Sequence, residues 1–321
     1  MPAKAPNPDA PARRLVAVTG ATGFVGGHLI DDLLAQGHAV RALTRRAMPA
    51  RPDLEWVAGD LTDSQALQRL CAGADALIHG AALIKARRAA DFNTVNVEGT
   101  RAVLDAARAV GLERVVLLSS LAARQPALSA YAASKHAAEA LLRDAYGDAF
   151  RWTILRAPAV YGPGDRETLK IFKSLRWRMG LLPNRGGRVS LVHVADLCAG
   201  IGACLDLDGT APHLLEICDQ TPGGHDLADL YRLAGQALGV KPLLVPVPRS
   251  ILMSVGALNE AVAAVIGHAP MLSRGKAREL AHADWVASSP HLCELGSWQA
   301  RIDLAEGLAQ TLAWYQARGW L

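Results

Sequence analysis

Three glycines, Gly20, Gly23 and Gly26, stand three apart in the segment VTGATGFVGGHLIDDLL. They follow a β-branched, apolar run and open a stretch of helical periodicity, so they mark a strand that turns directly into a helix. Glycine there permits a tight turn, lets backbone approach a pyrophosphate and allows the helix to pack closely on the strand. The helix start also offers free N–H groups and the positive end of its dipole to phosphate oxygens. The turn therefore predicts a dinucleotide cradle built from Gly20, Thr22, Gly23, Phe24, Val25 and Gly26. It also confines the fold to alternating strands and helices.

From Leu15 to about Ile154 that alternation continues. The runs LVAVTG, AVRALTR, LEWVAGD, ALIHGAA, RVVLLSS and RWTILRA are short, apolar on both faces and separated by alanine-rich helical segments. Parallel strands covered on both sides by helices read this way. The pattern predicts an α/β, doubly wound parallel sheet of Rossmann type over residues 15–161. After Tyr161 the rhythm breaks at YGPGD. Residues 162–321 are expected to form mainly a smaller C-terminal substrate lobe. Segments from about 188–218, among them VSLVHVADL and HLLEICD, are expected to return to the first domain. Residues 1–14, rich in Pro and Ala, are expected to be a flexible tail, and no signal peptide is read there.

Composition removes several function classes. With 51% hydrophobic and 20% charged residues in 321, the chain has ample material for a core. A net charge of +4, spread along the chain, argues against a nucleic-acid partner. Cys71, Cys198, Cys204, Cys218 and Cys293 are odd in number and lack metal-ligand spacing. They suit buried thiols in a reducing cytoplasm, with no disulfide framework and no metal. The apolar stretch from Ile251 to Gly267 is interrupted by Asn259 and Glu260. It is read as a buried or lid helix rather than a membrane span.

Two strand ends bear on the cofactor. The second strand ends in Thr44-Arg45-Arg46, where an acidic residue is expected if the adenosine ribose carries a free 2′-hydroxyl. Arg45 instead suits a 2′-phosphate, so NADP(H) is favoured, with NAD(H) as the alternative. The third strand ends in Gly59-Asp60-Leu61. Asp60 is suited to accept a hydrogen bond from the adenine amino group, or Asp60 or Thr62 serves as the next helix's N-cap.

The fifth strand ends in LLSS, and YAASK begins eleven residues past Ser120. Tyr131 and Lys135 are four apart in a helical segment, so both project from one face. Ketone reduction needs a proton donor at the oxygen, and alcohol oxidation needs a base there. A free tyrosine has a pKa of about 10, and a nearby ammonium and oxidised nicotinamide bring it toward neutrality. Ser120 is placed to hold the substrate oxygen by hydrogen bond.

With these pieces in place the chain resembles the extended short-chain dehydrogenase/reductase superfamily, in its NAD(P)-dependent epimerase/dehydratase and 3β-hydroxysteroid-dehydrogenase-like branch. TGATGFVG is similar to that family's cofactor turn and YAASK to its YxxxK. GDL, HGAA, NVEGT, RAPAVYGPGD and LVHVADL, with the terminal LAEGLAQTLAWYQARGWL, extend the likeness to the end of the chain. The resemblance implies that Ser120, rather than Ser119, is the catalytic hydroxyl, with Tyr131 as general acid/base. It implies that Lys135 also binds the nicotinamide ribose, with Tyr131 beside it, and that backbone around Ala81 and Ala82 lines the cofactor groove. Pro158 is implied to border the nicotinamide. Asn96 and His79 are expected to be structural, and Tyr161 to be packing. A homodimer through the helices of 91–110 and 131–146 is a further implication.

The substrate is bounded less tightly. The family's dehydratases place an Asp-Glu pair directly after the catalytic hydroxyl, whereas Leu121 and Ala122 stand here, which argues against dehydration. Arg166, Lys170, Lys173, Arg176, Arg178, Arg185 and Arg188 leave a nucleotide-sugar epimerase open. Phe172, Leu175, Trp177, Met179, Leu181 and Leu182 favour a cleft for a hydrophobic ketone or alcohol. The reading is an NAD(P)-dependent oxidoreductase transferring a hydride to or from such a small molecule. The alternatives are the epimerase and a non-catalytic NAD(P)-binding sensor or accessory subunit.

Overall fold

The computed structural model describes residues 13–183, 186–207, 212–270, 272–296 and 298–321. Arg185 and residues 1–12 of the expected tail lie outside the described residues. Six strands alternate with helices as the apolar runs predict: β1 (Leu15–Thr19), α1 (Phe24–Ala35), β2 (Ala39–Thr44), β3 (Leu54–Ala58), α2 (Ser64–Cys71), β4 (Ala76–His79), α3 (Ala89–Phe92), α4 (Gly99–Ala109), β5 (Arg114–Ser120), α5 (Ala130–Ala140) and β6 (Arg151–Ala157). A seventh strand arrives much later in the chain. The remaining elements are β7 (Ala159–Tyr161), α6 (Thr168–Leu175), β8 (Met179–Leu182), β9 (Arg188–Val189), β10 (Leu191–His193), α7 (Val194–Ala203), β11 (His213–Glu216), β12 (His225–Asp226), α8 (Leu227–Ala237), β13 (Leu243–Pro246), α9 (Arg249–Ile266), α10 (Arg274–Leu280), β14 (Asp284–Trp285) and α11 (Leu304–Ala317).

The main sheet has the order β11-β6-β5-β4-β1-β2-β3, and its pairings are all parallel. Chain order reverses between β1 and β4, so a crevice opens there at the carboxyl ends of the strands. All four residues of β4 are buried, as a central strand covered on both faces requires. One face packs Leu29, Ile30 and Leu33 of α1 against Leu197 and Ile201 of α7. The other face packs Leu67 and Leu70 of α2 with Val103 and Leu104 of α4. A third cluster joins Tyr161, Phe172, Tyr231, Leu308 and Tyr315 from β7, α6, α8 and α11.

The two expected returns differ. HLLEICD supplies β11, which pairs with β6. VSLVHVADL does not enter the main sheet, because β10 pairs only with β7. Its helix α7 nevertheless packs on α1 and completes that face of the core.

The 251–267 stretch departs from its expectation of burial. In α9, Gly256 is the buried residue, and Ile251, Val255, Leu258, Val262, Val265 and Ile266 are exposed. The apolar pattern was real, but among the described residues one face of the helix is left exposed.

If α7 belongs to the sheet's core, Ile201→Ala is expected to cost about 3 kcal/mol. Val265→Ala, on the exposed face of α9, should cost less than about 0.5 kcal/mol. Urea unfolding followed by far-UV circular dichroism checks both, and a small effect at Ile201 would detach α7 from the core.

Candidate active site

The glycine turn is built by close contact. Gly20 has a φ of 79°, and a Cβ on it would lie 2.6 Å from the carbonyl carbon of Gly80 and 2.7 Å from the amide nitrogen of Ala81. The ends of β1 and β4 thus touch through backbone at the switch point. A Cβ on Gly26 would lie 2.1 Å from the carbonyl oxygen of Gly20, so the first turn of α1 also demands glycine. Gly23 is the N-cap of α1 and provides no side-chain cap. The open amides of that helix start face the crevice with their dipole, which fits a diphosphate. Thr22, Phe24, Val25, Ala81 and Ala82 flank this turn in sequence, and Ala81 donates its N–H to Thr19 Oγ1 at 3.3 Å.

At the rim beyond, Arg45 is exposed after β2. Asp60 is exposed too, and its Oδ1 accepts from the Thr62 N–H at 2.8 Å and the Thr62 hydroxyl at 2.6 Å. Those bonds, with the Arg45 charge a smaller contribution, hold the Asp60 carboxyl below the usual carboxylate range. The N-cap of α2 is Asp63, which accepts from the Ala66 N–H at 2.9 Å. Neither Asp60 nor Thr62 takes that role, because the chain makes one more turn before the helix begins. Leu61 fits against α4, since a Cβ on Gly99 would come 2.7 Å from Leu61 Cδ1.

The Ser120 hydroxyl stands close enough to the Tyr131 phenol to pull its pKa down. Ser120 Oγ also accepts from the Ala122 N–H at 3.2 Å, at the end of β5. Ser119, its neighbour, turns to the opposite side and donates to Glu139 Oε1 at 2.5 Å. Lys135 lies one helical turn beyond Tyr131, and its Nζ donates to the Leu118 carbonyl at 2.7 Å. Burial pushes the Lys135 ammonium down to about 8, against an opposing pull from Glu139. Burial also pushes the Tyr131 phenol up to about 12. The Ser120 hydrogen bond draws it back, and the Glu279 charge raises it further. The sequence predicts a tyrosine drawn toward neutrality. That expectation includes the charge of an oxidised nicotinamide; the protein's own groups, with desolvation the largest, act in the opposite direction.

Two neighbours are structural. His79 is buried with Nδ1 2.6 Å from Thr19 Oγ1 and Nε2 2.9 Å from Thr100 Oγ1, and burial holds it neutral by lowering its pKa to about 3. Asn96 sits in a π-helical turn, donates to the Leu83 carbonyl at 3.0 Å and to Ser134 Oγ at 2.9 Å, and accepts from the Leu83 N–H at 2.7 Å. It ties the loop after β4 to the helix carrying Tyr131. Pro158 stands between β6 and β7, half-buried. The Tyr161 ring packs edge-on to His193 at 5.3 Å and is buried.

Sequence reasoning missed a charged network behind the site. Glu139 accepts from Arg156 Nε at 2.9 Å and Nη2 at 2.6 Å. Glu216 on β11 lies 3.7 Å from Arg156 and 3.3 Å from Arg124. A signal existed, since Tyr131, Lys135 and Glu139 recur at four-residue steps along α5. Glu279 had none. It comes from α10, is buried, accepts from the Ser129 hydroxyl and from Lys276 Nζ at 3.0 Å, and so holds Ser129, the N-cap of α5, from outside.

The basic residues of the second lobe are dispersed. Lys170 pairs with Glu167 at 3.2 Å, Arg188 donates to the carbonyls of Gly223 and Gly224, and the Arg166 guanidinium lies 5.1 Å over the Trp320 ring. Lys173, Arg176 and Arg178 are exposed. Of the expected apolar lining, Phe172 and Leu175 are buried in the lobe's core, whereas Trp177, Met179 and Leu181 are exposed. Among the described residues no group of three potential metal ligands occurs.

A profile of the NAD dependent epimerase/dehydratase family matches residues 16–218. The chain is 42% identical over 317 residues to the ceramide reductase of Caulobacter vibrioides, covering 97% of each. It is 30% identical to the 4-hydroxy-2-methyl-3-oxo-4-farnesyl-3,4-dihydroquinoline-1-oxide ketoreductase of Stigmatella aurantiaca, over 85% of this chain and 81% of that protein. Among solved structures, MoeE5 in complex with UDP-glucuronic acid and NAD superposes with a TM-score of 0.74 at 22% identity, covering 95% of this chain and 99% of that one. That last likeness speaks to the fold alone. By the profile and these relatives, the chain belongs to the NAD-dependent epimerase/dehydratase family of the extended short-chain dehydrogenase/reductase superfamily, and it is an oxidoreductase of that type.

Proposed function

We propose that this chain is an NADPH-dependent ketoreductase acting on a long-chain, ceramide-like ketone, with Tyr131 as proton donor, Ser120 as hydrogen-bond donor to the substrate oxygen and Lys135 as the anchor of the nicotinamide ribose. The observation that carries it is the placement of Ser120 at the end of β5 beside the Tyr131 phenol, with Lys135 one turn further along the same helix face and its Nζ on the Leu118 carbonyl of β5 at 2.7 Å. The residues fit the dinucleotide: the glycine cradle takes the diphosphate, and Asp60 and Leu61 flank the adenine. Ala81, Ala82 and Pro158 border the groove toward the nicotinamide. Arg45, exposed beside the adenosine end, supplies a cation for a 2′-phosphate.

The bound nicotinamide supplies the hydride that reduces the carbonyl carbon. The phenol of Tyr131, kept protonated at neutral pH by burial, gives its proton to the carbonyl oxygen as negative charge grows there. Ser120 donates a hydrogen bond to the same oxygen and steadies that charge. Tyr131 recovers a proton from solvent, which completes the balance of one hydride and one proton per alcohol formed. The names of the two relatives, a ceramide reductase and a ketoreductase of a farnesyl-bearing dihydroquinoline oxide, support the substrate class. The dispersal of the second lobe's basic side chains disfavours a nucleotide-sugar diphosphate.

Tyr131→Phe is expected to lower kcat by about 10²–10⁴ while leaving NADPH binding unchanged. Arg45→Ala should weaken NADPH binding by about tenfold to a hundredfold and leave NADH binding alone. Nicotinamide fluorescence titration reads the binding, and NADPH oxidation with a long-chain N-acyl amino ketone reads the turnover. Equal affinity for the two nucleotides before and after the Arg45 change would remove the 2′-phosphate clamp. Turnover surviving in Tyr131→Phe would remove the proton donor.

The Lys135 ammonium also makes a stability prediction. Its pKa falls from 10.5 to about 8 on folding, so below about 8 its charge opposes folding. That penalty fades as pH rises from about 8 to 10.5, where the unfolded chain loses the charge as well. Lys135→Met should therefore stabilise the protein by about 1–2 kcal/mol at neutral pH, the desolvation gain less the lost bond to Leu118. The gain should shrink toward pH 10, and urea midpoints across that range measure it. A loss of stability at neutral pH would contradict the assignment.

A further inference from the structure

We infer that α9 is an interfacial helix that seats this protein on an anionic lipid bilayer, lying in the membrane surface rather than crossing it. Ile251, Val255, Leu258, Val262 and Val265 are spaced by four and three residues alternately, so they form one stripe along the helix. Leu258 is 65% exposed and Val265 88% exposed. The opposite face meets the protein. Gly256 packs against α10, where a Cβ would lie 3.1 Å from the backbone of Ser273 and Arg274. Glu260 is paired with Arg274 at 2.7 Å. The helix therefore has a docked side and an apolar side.

Three observations decide what covers the apolar side. First, spanning would require the helix to leave α10 and strip Glu260 from Arg274. Its 18 residues stand at the short end of what a span uses. Second, both ends are basic: Arg249 is exposed at the start, and the Arg87 guanidinium lies beside Gly267 at the end, where a Cβ would be 3.7 Å away. Two copies meeting along this stripe would set basic end against basic end in either orientation, whereas anionic headgroups would match both. Third, a stripe ~27 Å by ~10 Å offers roughly 270 Å², about a third of what a stable protein interface takes from each partner. Burial by lipid has no such threshold.

Other exposed apolar side chains lie on the elements that precede α9. The β8–β13 ladder, which leads directly into α9, exposes Met179 and Leu243 as register partners, and Trp177 just before it is 81% exposed. An exposed tryptophan suits the headgroup level. The far end of α9 reaches the loop after β4, and α10 packs on Ser129, two residues from Tyr131. The helix thus runs along the rim of the site. A lipid leaving the bilayer at α9 would have the shortest path to Tyr131, although bilayer binding itself does not depend on the substrate reading.

The test is flotation of the full chain with unilamellar vesicles of phosphatidylcholine, with and without phosphatidylglycerol, in NADPH-free buffer. The wild type should float with the anionic vesicles and far less with the neutral ones. Leu258→Ser combined with Val262→Ser should lower the bound fraction about tenfold or more, with the urea midpoint and NADPH affinity unchanged. Ile251→Ser combined with Val265→Ser, at the two ends of the stripe, should act alike. Three results would overturn the inference: no wild-type flotation, equal flotation with neutral vesicles, or a lipid-free dimer that either double variant dissociates. The last would assign the stripe to a second copy of the chain.

Discussion

The contact on which the site depends is the buried pair of Arg156 and Glu139. Glu139 is 1% exposed, and it takes two hydrogen bonds from the guanidinium and a third from Ser119. Those partners belong to β6 and β5, while Glu139 itself belongs to α5, so one carboxylate fixes a helix against two adjacent strands. Arg156 then reaches Glu216 on β11, and Glu216 accepts from the Ser288 N–H at 2.7 Å in the C-terminal part of the chain. A buried charge pair of this kind is costly to break, by roughly 3–5 kcal/mol when one partner is removed. Its effect here is one of register. Glu139 is one turn beyond Lys135 and two beyond Tyr131, so pinning it sets the rotation of the whole helix face.

That pinning explains how two adjacent serines divide their duties. Successive residues of a strand point to opposite faces. Ser119 points to the Glu139 side and is consumed by the network, and Ser120 points to the crevice and meets Tyr131. Strand alternation and one buried carboxylate thus set the two hydroxyls on opposite sides of the strand. The crevice owes its position to a second contact of a different kind. Gly20 and Gly80 bring the ends of β1 and β4 to a separation that no side chain would allow.

Features repeated in local pattern were legible from the residues. The six strands and the glycine turn could be read because parallel strands and tight turns leave marks in adjacent positions. Features that depend on distant partners were not. Glu279 and Ser129 are 150 residues apart, and nothing near Tyr131 announces the carboxylate that holds its helix's N-cap. VSLVHVADL reads as a buried strand, but periodicity does not say which sheet takes it, and it pairs with β7. The cap of α2 fell to Asp63 because Asp60 and Thr62 close a turn on each other first. α9 is the sharpest case. Its apolar stripe specifies a face that needs cover, and the same pattern serves a protein core or a lipid surface. Only its exposure separates the two.

Desolvation links the two ends of this argument. At Tyr131 and Lys135 it acts on groups of opposite charge type and drives both toward their neutral forms, the phenol up to about 12 and the ammonium down to about 8. Burial thus favours the neutral form of each group. The same exclusion of water also suits an apolar substrate, because such a substrate brings no hydration shell into the crevice. At α9 the logic reverses: the apolar surface lies outside, where only a partner as apolar as itself relieves it. A buried polar centre beside an uncovered apolar rim is the arrangement expected of an enzyme that draws its substrate from a lipid phase and reduces it away from water.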